Sequence, residues 1–334
     1  MIATFGLRVC VVACVLAFLP VSGLTVKLGS LAPTGSPWDK GLNRLGAEWE
    51  KLSNGSVELK IYPGGIVGDE ADMIRKMRIG QLNAAGITGI GMCRIFPDII
   101  TVQLPLLVRS NAELTYVLDK IKPAFASELE KRGFKVIIWS FVGWVHFFSK
   151  NPVVTPDDLK RQKMFIWAGD ADALQIWKES GFHVVPLTPT DIMPSLQSGM
   201  IDAFSATPLS AASYQWFGLA KNMCEMKWAP LIGGIVMTTA TWSKIPPDIA
   251  AKLETAAQQI GSDMQADILK ADDEAMAVMK KNGLVVNPVP ASAEKAWQAS
   301  VENGIAQGLL KDKAKDLFET VKKYLSEYRA SVAK

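Results

Sequence analysis

The sequence predicts an α/β fold of two lobes with a long helix spanning both. Three observations carry this. Strand-like and helix-like segments alternate along the chain. At 334 residues the chain exceeds an ordinary single domain. The stretch Asp248–Lys281 holds no proline and only Gly261, which at about 1.5 Å per residue is about 50 Å of helix, longer than one lobe.

Each element follows from local pattern. Thr25–Gly29 alternates as a half-buried strand does. Ser36-Pro37-Trp38 offers an N-cap and a first-turn proline, and Leu42, Leu45, Trp49 and Leu52 recur at helical spacing. Asn54-Gly55 turns the chain into the alternating strand Val57–Tyr62. Asp69 opens a helix through Met73, Ile74, Met77 and Ile79, and the short apolar segment Ala84–Thr88 follows. Asn111–Arg132 has an acidic start and a basic end, which suits the helix dipole.

A second region begins near residue 135. Lys135–Trp139 reads as a buried strand and Asn151–Pro156 as a turn-rich link. Lys163–Trp167 is a strand, Asp170–Ser180 a helix and His183–Leu187 a strand. Pro189-Thr190-Asp191 caps Ile192–Gln197, and Ile201–Ser205 is a short strand. Ser292, after Pro290, reads as an N-cap, and Asp312–Ala333 as an amphipathic helix.

Composition narrows the function. The chain is 49% apolar, with a formal net charge of +3 and 10 Trp. That is too apolar for a disordered chain and too neutral for a nucleic-acid binder. Residues 1–23 read as a signal peptide: Arg8 begins it, Val9–Leu19 is its apolar stretch, and Val21-Ser22-Gly23 is the cleavage context. Lipid anchoring at Cys14 is the alternative. Cys93 and Cys224 would remain after export. Two thiols are no disulfide framework, and small buried hydrophobes describe them better than a bridge.

Catalytic signatures are missing: no HExxH, no GxSxG and no P-loop. Gly86–Gly91 is glycine-rich without the dinucleotide-binding order. His146 and His183 have no metal-ligand spacing to either thiol. The reading is a protein without enzymatic activity, cofactor or metal.

Several segments follow one another in an informative order: Leu28-Gly29-Ser30-Leu31-Ala32, Pro37-Trp38, Tyr62-Pro63-Gly64-Gly65, Gly68-Asp69-Glu70, Arg78-Ile79-Gly80-Gln81, Thr155–Lys160 and Gln197–Ala203. Over essentially the whole mature chain this resembles the solute-binding proteins of tripartite ATP-independent periplasmic (TRAP) transporters. The resemblance implies a periplasmic binding-protein fold, with lobe 1 over 24–147 and 235–282 and lobe 2 over 148–234 and 283–334. It implies capture of a small molecule between the lobes and delivery to the integral membrane subunits of an ion-gradient-driven transporter. A helical-repeat (TPR) protein of the periplasm is a further partner found in this family.

The chain departs from the family at its ligand site. Members that bind organic acids place an Arg in the strand after the Asp-Leu-Lys segment, where it pairs with the ligand carboxylate. Phe165 stands there in this chain. A second basic position falls near Val145. The usual Gln-Glu-Asn-Pro is replaced by Ser205-Ala206-Thr207-Pro208. A buried carboxylate without a partner is costly, whereas rings reward apolar surface. The expected ligand is therefore apolar or amphiphilic. An acid held at some other anion site is the alternative. The expected lining is Trp38, Trp144, Phe165, Trp167 and Phe204, with Thr207 as a polar contact and Trp216 and Phe217 beyond the Pro208 turn. Trp49, Trp177, Trp228, Trp242 and Trp297 are expected in cores.

Overall fold

The computed structural model describes residues 23–168, 171–305, 308, 310 and 314–333. The expected leader, apart from Gly23, lies outside the described residues, as do the first residues of the helices expected from Asp170 and Asp312.

Strands β1 (Leu24–Ser30), β2 (Val57–Tyr62) and β3 (Ala84–Thr88) open the fold, joined by helices α1 (Pro37–Leu52) and α2 (Glu70–Arg78). β1 pairs in parallel with both other strands. Both helices start where a side-chain oxygen accepts an otherwise orphaned N–H: Ser36 from Asp39 N, and Asp69 from Asp72 N. Next come the short helix α3 (Gly89–Cys93), α4 (Asn111–Lys131) and β4 (Phe134–Ser149). β4 runs for 16 residues, far past the expected end at Trp139.

The chain continues through α5 (Pro156–Lys160), β5 (Lys163–Trp167), α6 (Ala171–Glu179), β6 (His183–Leu187), α7 (Ile192–Ser198), β7 (Ala203–Ala206) and α8 (Pro208–Ser213). Then follow β8 (Asn222–Cys224), β9 (Ala229–Thr238), α9 (Thr239–Trp242), α10 (Pro247–Lys281), β10 (Val285–Asn287), α11 (Ala291–Ser300) and α12 (Lys315–Val332). Ser292 proves to lie inside the first turn of α11, whose N-cap is Pro290 with no side-chain cap bond. The sheet runs β2-β1-β3-β9-β4-β7-β5-β6, and β8 and β10 extend it off β4. β9 gave no sequence signal because Pro230 and Gly233-Gly234 interrupt its pattern. Gly234 is obligatory: a Cβ there would lie 2.1 Å from the Ile138 carbonyl oxygen.

β4 belongs to both halves of the sheet. Residues up to Val145 pair with β9, while His146–Ser149 pair with β7 and the last two also with β8. Register shifts between Val136 and Ile138 and between Phe141 and Gly143. At the second bulge the Gln265 side chain of α10 accepts from Phe141 N at 2.6 Å and donates to Phe141 O at 2.8 Å. Both main-chain polar groups of Phe141, beside the bulge, are thereby satisfied. α10, 35 residues long, packs against α1, β4 and α8 and so reaches both halves.

Four apolar clusters flank the sheet. Two surround the β1–β3–β9 half; the other two surround β5–β7. Trp49, Trp177, Trp228, Trp242 and Trp297 sit in or against these clusters. Phe147 is fully buried, stacked on Trp297 at 5.4 Å with Trp228 at 5.0 Å. Cys93 and Cys224 form no disulfide with each other. A buried Glu113 ties α12 to α4 through Arg329, Nε to Oε1 at 2.8 Å.

Beyond α8, Gln215 adopts φ of +59°, in the left-handed region. That conformation throws Tyr214 and Trp216 into a parallel stack, centroids 4.5 Å apart and planes 8° apart. Left-handed backbone costs a non-glycine residue about 1 kcal/mol.

Two outcomes follow. Phe147→Ala should lower unfolding free energy by about 3–5 kcal/mol in urea titrations. Gln215→Gly should melt at or above the wild type, whereas Gln215→Val, β-branched at positive φ, should lose about 1–3 kcal/mol by thermal denaturation.

Candidate functional site

A cavity of about 150 Å³ lies between the two halves of the sheet. It sits at the carboxyl ends of β1, β3, β5 and β7, where open α/β sheets place their ligands. One wall comes from Ser30–Pro33, the α1 start with Trp38, Glu70 of α2, and Thr88. Facing it are Phe165 and Trp167 of β5, Ile192, Thr207, Tyr214 and Trp216. Val142 and Leu231 contribute from β4 and β9.

Of the residues expected to line the site, Trp38, Phe165, Trp167, Thr207 and Trp216 do. Phe165, at the position the family comparison marked, is 6% exposed and lies 6.4 Å from Trp167, centroid to centroid. Trp144, Phe204 and Phe217 do not line it. The bulge reverses the alternation of β4, so Val142 faces the cavity and Trp144 packs on Phe141 at 5.8 Å, its Nε1 donating to Asn111 Oδ1. Phe204 faces the core behind β7, stacked on Phe148 at 5.2 Å and edge-on to Trp216 at 5.4 Å. It supports the wall from behind. Phe217 packs beside the same cluster.

Thr207 spends its hydroxyl on structure. Its Oγ1 accepts from Ser210 N at 3.2 Å to cap α8 and donates to Ser210 Oγ at 3.0 Å. Asp272 of α10 holds the same turn by accepting from Leu209 N at 2.8 Å, and burial pushes its carboxyl up to about 6. Two links cross the cleft. The Tyr214 hydroxyl donates to the Leu31 carbonyl, and Arg94 Nη2 donates to the Ala168 carbonyl at 3.4 Å. Burial raises the Tyr214 phenol well above its ordinary value, with the Glu70 charge adding to the effect, so it stays a donor.

Among the described residues no Lys, Arg or His lines the cavity. His146 lies off it on β4, its Nδ1 3.1 Å from the Cys224 carbonyl; burial lowers its pKa to about 4 and leaves it neutral. The carboxyl in the lining is Glu70, 2% exposed. Glu70 Oε1 accepts from Thr88 N at 2.7 Å and Oε2 from Thr88 Oγ1 at 2.9 Å. Burial pushes its pKa up to about 7 against these bonds and one from the Gly91 backbone, with Asp69 adding a smaller upward push. Sequence reasoning treated Glu70 only as part of a fold motif and passed over Tyr214. A carboxylate next to the capping Asp69, and a third ring beside Trp216, were the available signals. No cluster of His, Cys, Asp or Glu among the described residues suits a metal ion.

Comparison with known proteins agrees with this architecture. Residues 28–311 match the family described as bacterial extracellular solute-binding protein, family 7. A solute-binding protein of Albidiferax ferrireducens is 28% identical over 296 residues, 85% of each chain. The 2,3-diketo-L-gulonate-binding periplasmic protein of Escherichia coli is 23% identical over 268 residues, 79% of this chain and 80% of that one. Among solved structures, a TRAP periplasmic solute-binding protein of Chromohalobacter salexigens with bound D-glucuronate superposes with a TM-score of 0.83 at 21% identity, covering 90% of this chain and 99% of that one. Another from Sulfurospirillum deleyianum, with bound succinate, gives 0.81 at 20% identity, covering 89% and 98%. The chain belongs to family 7 of the bacterial extracellular solute-binding proteins, a family of binding proteins rather than enzymes.

Proposed function

We propose that the protein captures a small, largely apolar molecule that carries no acid group in this cavity and delivers it to a TRAP-type membrane transporter. The observation that carries this reading is the lining: rings from Trp38, Phe165, Trp167 and Trp216, with no cation among the described residues. The glucuronate and succinate of the compared structures belong to those proteins, at 20–21% identity. A carboxylate entering this cavity would lose its water and meet no guanidinium or ammonium, at a cost of several kcal/mol. An uncharged ring pays no such penalty. Apolar burial returns about 25 cal/mol per Å², and a dry cavity of ~150 Å³ is known to hold a benzene-sized ligand.

Family membership supports a place outside the cytoplasm. For the moving parts, we take residues 24–147 with 235–282 as one lobe and residues 148–234 with 283–334 as the other, except that α12 packs on α4 and gives Val321 and Leu325 to the first lobe's core. They would open about β4 and β9, breaking the Tyr214 and Arg94 links. Trp38 and Phe165, one from each lobe, would then meet the ligand from opposite sides.

Isothermal titration tests the reading. Indole should saturate the wild type below about millimolar concentration, and succinate and D-glucuronate should give no heat. Phe165→Arg should weaken indole at least about tenfold, because a buried guanidinium is introduced against the ring. Saturation by either acid, with none by indole, overturns it.

A further inference from the structure

Among the described residues Glu70 is the carboxyl in the lining, and its setting differs from that of the hydroxyls of Thr207, Tyr214 and Ser30 there. The hydroxyl of Thr207 is committed to capping α8, and that of Tyr214 to the Leu31 carbonyl. Ser30 Oγ accepts from Ala32 N at 3.1 Å. A carboxylate offers about four acceptor positions. Thr88 N, Thr88 Oγ1 and the Gly91 backbone take three of those on Glu70. Gly91 is shaped to this group: a Cβ there would lie 2.5 Å from Glu70 Oε2. The side chain is thus fixed on one side by β3 and α3, while it also borders the cavity.

We propose that Glu70 is the polar anchor of the cavity, and that the ligand is an apolar body carrying a hydrogen-bond donor, a hydroxyl or a protonated amine, at the end that meets this carboxyl. The inference rests on the reading of the cavity as an apolar site and names the chemistry of the ligand's polar end. Donor heads fit because the remaining acceptor position has no other partner among the lining groups described above. An acid head does not fit: it would set two carboxyls against each other in a site without a cation. A bare hydrocarbon would leave that acceptor position dry and unused.

A matched series separates these cases: phenethyl alcohol, phenethylamine, ethylbenzene and phenylacetate, each titrated calorimetrically into the wild type and Glu70→Gln at about pH 8. In the wild type the alcohol and the amine should bind at least about tenfold tighter than ethylbenzene, and phenylacetate should be weakest. Glu70→Gln keeps an acceptor for Thr88 N but loses the charge. It should weaken the amine about tenfold and leave ethylbenzene unchanged.

Should Glu70→Gln fail to fold by circular dichroism, the wild type alone decides. The groups that face Glu70 are Asp69 beside it on α2, Thr88 on β3 and Tyr214 from the opposite wall, with the phenol protonated throughout. Glu70 loses its proton at about 7. Affinity for the amine should therefore rise about tenfold between about pH 6 and about pH 8, with ethylbenzene flat. Equal binding of ethylbenzene and the donor compounds, or an amine affinity indifferent to both pH and Glu70→Gln, overturns the anchor while the apolar reading stands. Binding of succinate or D-glucuronate with no binding of any phenethyl compound overturns the apolar reading itself.

Discussion

The bond that the rest of the structure depends on is the clamp of Gln265 on the bulged backbone of Phe141. A single strand, β4, carries both halves of the sheet, and a strand of 16 residues cannot serve two differently oriented halves without a break in its pleat. The bulge supplies that break, and Gln265 of α10 holds both main-chain polar groups of Phe141 beside it. Because α10 also seats Gly41 of α1 against Met264 and holds the α8 turn through Asp272, one helix fixes the bulge, the first lobe and the far wall of the cavity together. Removing the clamp would strand polar groups in a region with little water to receive them.

The same bulge decides the chemistry of the site. By reversing the alternation of β4 it brings Val142 to the cavity and sends Trp144 into the core. What remains around the cavity is a set of rings, hydroxyls of which those of Thr207 and Tyr214 are engaged in local structure, and the Glu70 carboxyl. Low local polarity makes that carboxyl costly to ionise, and the same low polarity strengthens any bond it makes. On the reading proposed above, charge recognition is inverted rather than simply deleted. A site of this fold that takes acids needs a cation in the wall, whereas here an acidic group in the wall favours a donor.

Much of this was legible in the sequence. Caps announced α1 and α2 because the signals are local: a hydroxyl or carboxylate and its N–H lie within three residues. The long helix showed itself by the absence of breakers. The place of Phe165 in the wall came from family comparison, not from its own neighbours. What escaped depended on contacts distant in sequence. β9 is a strand because its glycines let other backbone come close, which no period reveals. The direction of Trp144 turns on a bulge, where a period of two no longer holds. Phe204 occupies a cavity-wall strand but points behind it, and its stack on Phe148 joins residues far apart in the chain. Glu70 lay in plain view inside a motif, but its burial against Thr88 and Gly91 belongs to the folded state alone.

The ladder from Phe148 through Phe204 and Trp216 to Tyr214 also has an optical consequence. Its last two rings border the cavity, and the other tryptophans there, Trp38 and Trp167, come from opposite sides of it. Indole emission is sensitive to water and to nearby charge, so these three report directly on what occupies the cleft. Trp49, Trp228 and Trp297 are sealed in cores and contribute a constant signal. The protein thus carries its own built-in dye, with three of its ten tryptophans placed at the cavity.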